Sequence, residues 1–524
     1  MTTRLEGEKA VPLNTLDVAP IYLQDRDVVT EKNATKGADA LLAYVDNSQP
    51  VVLDDETSRR LLRKIDTHVL PWLCGLYILQ YLDKGVLSYS SVMGIMADAD
   101  LTTSQFTWLG SIYYLGYMAA LPLHNRMFQV FAPSKYIAAN MMAWGLVLAF
   151  MALCHNFTGL MVQRAFLGSL ESVINCGFVL LTARWYRKYE HGARVAIWSS
   201  CNGLAGIVGA LIAYGCLSGV DAGVHILLPS WKIMALCLGC ASVIYGAAMF
   251  VFVAPSLVEA RFFTEEEKVL AIERLRDNHQ GIGSKEFKWY QVREAFLDVR
   301  TWLYVAFVLT SQMPTAGLSL LSSLLIKSLN FDSKQTLLLG MPGGALQVVF
   351  QLSAGFIADR TQQRSLTAIA MQLLCLFAAA LLIGLANLGP LYDRAGQLAA
   401  FFLTGGACAI GYYLLLATVA SNVLGTTKKM TTNVILFLSM AVAYLVGPQM
   451  FRDPPYYYRA KYATVGLWAA SVIILLVLYI LNRWENSRRD KIQAQLAERG
   501  IADAENVEFL DLTDKENLSF RYVQ

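Results

Sequence analysis

The chain has 524 residues, 55% of them hydrophobic and 16% charged, with a net charge of +3 and a mean hydropathy of +0.42. Soluble domains carry about 25% charged residues, so the composition excludes an ordinary soluble globule and points to a membrane-embedded chain. So small a net charge offers nothing to nucleic acid. The nine Cys all fall within or at the ends of apolar stretches, where they read as small buried residues rather than disulfides or metal ligands.

Residues 1–55 are polar and mixed in charge, lack the apolar core and cleavage site of a signal peptide, and read as a disordered tail. A bilayer core of about 30 Å takes about 20 apolar residues per helix. Spans are predicted near 68–93, 106–124, 134–154, 159–182, 195–219, 229–254, 301–326, 335–358, 366–386, 397–423, 432–451 and 462–482. The polar stretch 256–300 divides them six and six. Within it Thr264 and Glu267 have capping-box spacing, which predicts a short amphipathic helix through about Asn278. The expected fold is an all-α membrane protein of 12 transmembrane helices in two six-helix bundles. Its expected parts are an N-terminal tail (1–55), a first bundle (56–255), a central loop (256–300), a second bundle (301–486) and a C-terminal tail (487–524).

Orientation follows from the basic residues of the short loops. The loops after spans 2 and 4 hold Arg126, Lys135, Arg184, Arg187, Lys188 and Arg194, whereas those after spans 1, 3 and 5 hold none. Arg360, Arg364, Lys428 and Lys429 agree in the second half, although Arg452, Arg459 and Lys461 run against the pattern. Both tails and the central loop are expected in the cytoplasm, with the chain multi-pass and in the plasma membrane.

Four charges lie inside predicted spans: Asp83 and Lys84 in span 1, Arg164 and Glu171 in span 4. A charge at the bilayer centre costs roughly 2.5–3.5 kcal/mol on insertion scales, so it marks a site until shown otherwise. The seven-residue spacing of Arg164 and Glu171 puts both on one helix face, about 10 Å apart along the axis. Asn175, four residues on, shares that face. Glu171 is the expected proton carrier, because burial and a neighbouring Arg act on a carboxyl in opposite directions and substrate binding can switch it. Arg164 or Lys84 would hold an anionic group, Arg having the better geometry for a carboxylate. The alternative is that the four charges, which sum to zero, merely fasten spans 1 and 4 together. Spans 7 to 12 have no interior charge, leaving Gln347, Gln351, Gln372 or Asn433 to offer neutral hydrogen bonds. Pro314 should bend span 7, and the run Gly203, Gly206, Gly209 permits close helix packing.

Several ordered tracts resemble the major facilitator superfamily, and within it the fungal allantoate permease branch of the anion:cation symporters. They are Lys64-Ile65-Asp66, Leu82-Asp83-Lys84, Gln163 to Gly168 leading to Glu171 and Gly177, and Trp185-Tyr186-Arg187 with Glu190. Further along come Ala260 to Glu267, Trp289-Tyr290-Gln291-Val292, Ser421 to Lys429 and Gly447-Pro448-Gln449. The resemblance covers about residues 57–490. The superfamily's Gly-x-x-x-Asp-Arg loop appears after span 8 as Gly355 to Arg360, which implies a cytoplasmic gate of Asp359, Arg360 and Arg364. Departures are the counterpart Pro122 to Arg126, Cys176 where a Pro usually precedes Gly177, and Ser230-Trp231-Lys232-Ile233 at the opening of span 6. The resemblance implies a monomeric transporter of a small organic anion, such as a ureide carboxylate or vitamin acid, coupled to protons and working by alternating access. Efflux of a metabolite or toxin, and a non-transporting nutrient sensor, remain open. No phosphate-binding Gly-rich loop, HExxH or metal-ligand cluster suggests an enzyme or a cofactor.

Overall fold

The computed structural model describes residues 54–524 apart from 188–189, 222–227, 258, 280–287, 362, 390–391, 453–456, 499–511 and 518. All but the last two residues of the expected N-terminal tail lie outside that range, as do the side chains of Asn175 and Asp359. The described residues are helical, with no strand among them.

The first half runs α1 (Asp55–His68), α2 (Leu70–Val92), α3 (Thr103–Val130), α4 (Pro133–Phe150), α5 (Phe157–Glu171), α6 (Val173–Trp185), α7 (His191–Asp221) and α8 (Ser230–Phe252). Two linker helices follow, α9 (Glu265–His279) and α10 (Trp289–Leu297). The second half runs α11 (Val299–Lys327), α12 (Ser333–Leu339), α13 (Met341–Thr361), α14 (Arg364–Leu388), α15 (Arg394–Ala407), α16 (Ile410–Asn422), α17 (Thr426–Val446) and α18 (Tyr458–Glu498).

Nine stretches among the described residues are long and apolar enough to cross a membrane. The other three expected spans are helical as well, and each misses for a chemical reason. Helix α2 carries Asp83 and Lys84, and α3 carries Tyr113, Tyr114, Tyr117 and His124, which lower their apolar character. The fourth span, α5 and α6 meeting at Ser172, carries Gln163, Arg164 and Glu171, and the Ser172 hydroxyl turns back onto the Ser169 carbonyl at 2.7 Å. The polar spans are thus those of the first half that carry the candidate site.

Helix ends are set locally. Thr102 and Gln105 make a capping box that starts α3, and Thr264 and Glu267 make the expected one at α9. Asn156, whose sequence fits a glycosylation sequon, caps α5 by accepting from the Gly159 amide at 2.8 Å. Helix α17 has no side-chain cap of its own, because Gly425 precedes it with φ +81°. Its cap is borrowed from the linker: Gln291 Oε1 accepts from the Thr427 and Lys428 amides at 3.0 and 3.2 Å.

The linker divides between the halves. Helix α9 is held to the first half by Lys64 on Glu267 (2.5 Å), by Arg274 on Glu190, and by Arg187 donating to the Arg274 carbonyl at 2.7 Å. Beside it Arg194 pairs with Asp66 at 2.6 Å. Helix α10 is held to the second half through Gln291 and through Glu294, 2.9 Å from the buried Lys428. At the opposite end the halves meet directly. Ser88 lies 3.0 Å from Ser322, and Gln449 donates at 2.7 Å to Ser111, which itself donates to the Leu445 carbonyl.

Candidate substrate and proton site

Glu171 is the last residue of α5, so it stands where α5 and α6 meet, and it is fully buried. Its Oε2 accepts from the Tyr113 hydroxyl at 2.7 Å and from Gln80 Nε2 at 3.2 Å. Its Oε1 has no hydrogen-bond partner. This position depends on an unusually close pairing of α3 and α5. A Cβ on Gly168 would overlap the Tyr113 carbonyl, and one on Gly116 would overlap that of Ala165. Only glycine lets the backbones come near enough for Tyr113 to reach the carboxylate.

Asp83 is also fully buried, but it turns to α4 and α8: its Oδ2 accepts from Trp144 Nε1 at 2.9 Å and from Ser242 at 3.2 Å. Its Oδ1 has no partner. Lys84, the next residue, goes the other way, with its ammonium 5.9 Å from the centre of the Tyr113 ring. Arg164 is buried with 2% exposure, one terminal nitrogen 3.8 Å from Met151 Sδ and its Nε without a partner. None of the four charges lies within 4.0 Å of an opposite one among the described residues. Spans 1 and 4 are joined through Gln80, which donates to Glu171.

Tyr113 links the components of this cluster. It bonds Glu171, faces Lys84 and stacks edge-on with Tyr114, whose ring lies 4.7 Å from Tyr444 of the second half. Nearer the linker, Tyr413 of α16 accepts from Asn202 of α7 at 2.9 Å and lies 3.5 Å from the Tyr77 hydroxyl of α2. Gln351 of α13 donates to Ser199 of α7 at 3.2 Å. Polar groups from both halves therefore meet at these contacts.

Of the second-half candidates, Gln351 is in this meeting zone. Gln372 is buried with an unpartnered Nε2 beside Gly411. Gln347 is buried on α13, and Asn433 is half-buried on α17. The sequence offers Tyr113 and Tyr114 as cavity-lining candidates against a core reading, whereas Tyr77, Tyr413 and Tyr444 were missed because an aromatic on an apolar helix reads as core. The signal available was pairing, since Tyr113-Tyr114 and Tyr412-Tyr413 each present adjacent hydroxyls within an apolar span. Among the expected gate residues, Arg364 donates to Ser421 at 2.6 Å and to the Ala417 carbonyl at 3.1 Å, tying α14 to α16, while Arg360 is exposed. The departure at the start of α8 has its own partners: Trp231 donates to Asp98 at 2.7 Å and Lys232 to His155 at 3.1 Å.

Residues 73–448 match the Major Facilitator Superfamily. The chain is 36% identical over 502 residues to an uncharacterized transporter of Schizosaccharomyces pombe, covering 95% of each chain. It is 34% identical over 499 residues to the allantoate permease of Saccharomyces cerevisiae, covering 92% of this chain and 90% of the permease. In structure it resembles a D-xylose–proton symporter, with a TM-score of 0.59 at 11% identity, over 78% of this chain and 97% of that one. At that identity the likeness speaks to fold alone.

Proposed function

Since the chain belongs to the major facilitator superfamily, and to its allantoate permease branch, we propose that it is a proton-coupled symporter of a small organic anion that alternates access between its two halves. The observation that carries this reading is Glu171. It is a buried acid at a helix junction, with one oxygen held by Tyr113 and Gln80 and the other free of any partner. An intramembrane acid so placed has room to exchange a proton or to lose one when a ligand arrives. Lys84 and Arg164, neither ion-paired among the described residues, supply the positive charge that an anion needs. The neutral groups Asn202, Tyr413 and Gln351 orient the remainder of the substrate from both sides.

In this reading the linker end faces the cytoplasm, as the loop charges imply, and the membrane is the plasma membrane. Contacts such as Ser88 with Ser322 and Ser111 with Gln449 close the outer end, and must part when the carrier turns outward. Transport into liposomes under an imposed pH gradient, with a panel of carboxylates and neutral metabolites, tests the reading. Accumulation of a carboxylate that follows the proton gradient supports it. Exchange against the gradient turns it into efflux, and no transport of any member points to a sensor. Glu171→Gln should abolish gradient-driven accumulation while the protein still folds and still exchanges substrate for substrate. An unaltered pH dependence in that variant rules out Glu171 as the proton carrier.

A further inference from the structure

The sequence places a featureless tail from residue 487. Instead α18 continues to Glu498, and the chain returns to pack residues 512–517 and 519–524 against the linker end of the second half. The contacts are specific. Asn486 binds Tyr522 through both its amide groups, donating to the carbonyl at 2.8 Å and accepting from the amide at 2.9 Å. Asn422 binds Val523 in the same two-bonded way, at 3.0 and 2.7 Å. Arg489 donates to the carbonyls of Asp514, Asn517 and Phe520. Buried Asp514 sits between Lys428, at 2.6 Å, and the Tyr522 hydroxyl, at 2.7 Å. The Tyr522 ring lies under the Arg300 guanidinium at 4.0 Å.

Each receiving cation also has a partner that does not belong to the returning segment. Lys428 keeps Glu294 at 2.9 Å and Asp298 at 3.0 Å if Asp514 leaves. Arg489 keeps Glu485 at 3.1 Å, and Arg300 keeps Asn482 at 3.1 Å. Removing one member of a buried ion pair is normally costly because it strands the other charge. Here no charge would be stranded on the receiving side. Two-bonded amide contacts to a peptide backbone, with a buried cation taking a single acidic side chain, are the means by which proteins hold extended peptides.

We propose that Asn422, Lys428, Asn486 and Arg489 form a peptide-binding site whose ligand is the chain's own C-terminal segment, docked as a detachable strap. Bound, the strap joins the starts of α11 and α17, the end of α16 and the extension of α18 through the same Lys428 that holds linker helix α10. Its release leaves α10 on Lys428 and Gln291 and uncovers the extension of α18 around Asn486 and Arg489.

The test uses the purified full chain, a form ending at residue 511, and a synthetic peptide of residues 512–524. Amide exchange in residues 486–495 of α18 should be faster by about tenfold in the shortened form, and added peptide should restore the protection. The same peptide carrying Asp514→Asn should bind about tenfold more weakly, the loss expected for one charge-assisted contact. Protection unchanged by shortening, or not restored by the peptide, overturns the proposal. Should the shortened form not fold, the full chain with Asn486→Ala and Asp514→Asn is measured the same way, and wild-type protection there is equally fatal. None of these readouts depends on the substrate or on proton coupling.

Discussion

The four buried charges differ most in what surrounds them. Asp83 and Lys84 are neighbours in sequence, yet one carboxylate oxygen of Asp83 is held by Trp144 and Ser242 while Lys84 looks across at Tyr113. This predicts different phenotypes. Lys84→Gln should raise the KM for an anionic substrate by about tenfold or more, with little loss of thermal stability, as uptake titrations and melting curves would record. Trp144→Phe should instead cost about 1–3 kcal/mol of stability by leaving a buried acceptor short of a donor, and should show in the melting temperature before it shows in KM. That these residues are candidates was legible from their types, since charge inside an apolar span is rare. Their directions were not legible, because residues 83 and 84 differ by only 100° around a helix and sequence does not say which neighbour fills which sector. What Tyr113 does was hidden for a related reason: a phenol has the same apolar ring whether its hydroxyl is buried in a core or set against Glu171.

At the scale of elements, the existence of the spans was legible from their apolar length, and their internal junctions were not. The junction at Ser172 falls five residues before Gly177, in a segment without proline, next to Glu171. The close pairing of α3 and α5 rests on two glycines that look like any others in the sequence. Gly168→Ala should push the helices apart, cost about 1–3 kcal/mol and lengthen the Tyr113–Glu171 contact. Lost transport in a variant that still melts cooperatively would distinguish this from simple misfolding. The junction of α10 and α17 was foreshadowed in another way: two separate tracts of the family resemblance, around Gln291 and around Lys428, turn out to bind each other. Just past α10, burial pushes the Asp298 carboxyl up, but the Lys428 ammonium 3.0 Å away outweighs it and holds it below the ordinary carboxylate range. A depressed acid contributes stability that is complete above its unfolded value, about 3.9, and is lost as pH falls through the folded one. Amide exchange over residues 289–297 should therefore be steady from neutral pH to about 5, after correction for the intrinsic rate, and accelerate only below about 4.

For the molecule as a whole, the expectation of a six-plus-six division rests on one polar stretch. The contacts that bring the halves together were not, since hydroxyls such as Ser88 and Ser322 carry no signal of partnership across 234 positions. Their proximity makes a direct test of motion possible. Cysteines at 88 and 322 should cross-link on oxidation, and transport should stop and then return with reductant if that end has to open in each cycle. The divided allegiance of the linker has a broader implication. With α9 bonded to one half, and α10 to the other from the Lys288 amide onward, each half keeps a linker helix of its own. Two polypeptides made separately, one stopping at His279 and one starting at Lys288, should find each other in the membrane and carry substrate as a pair.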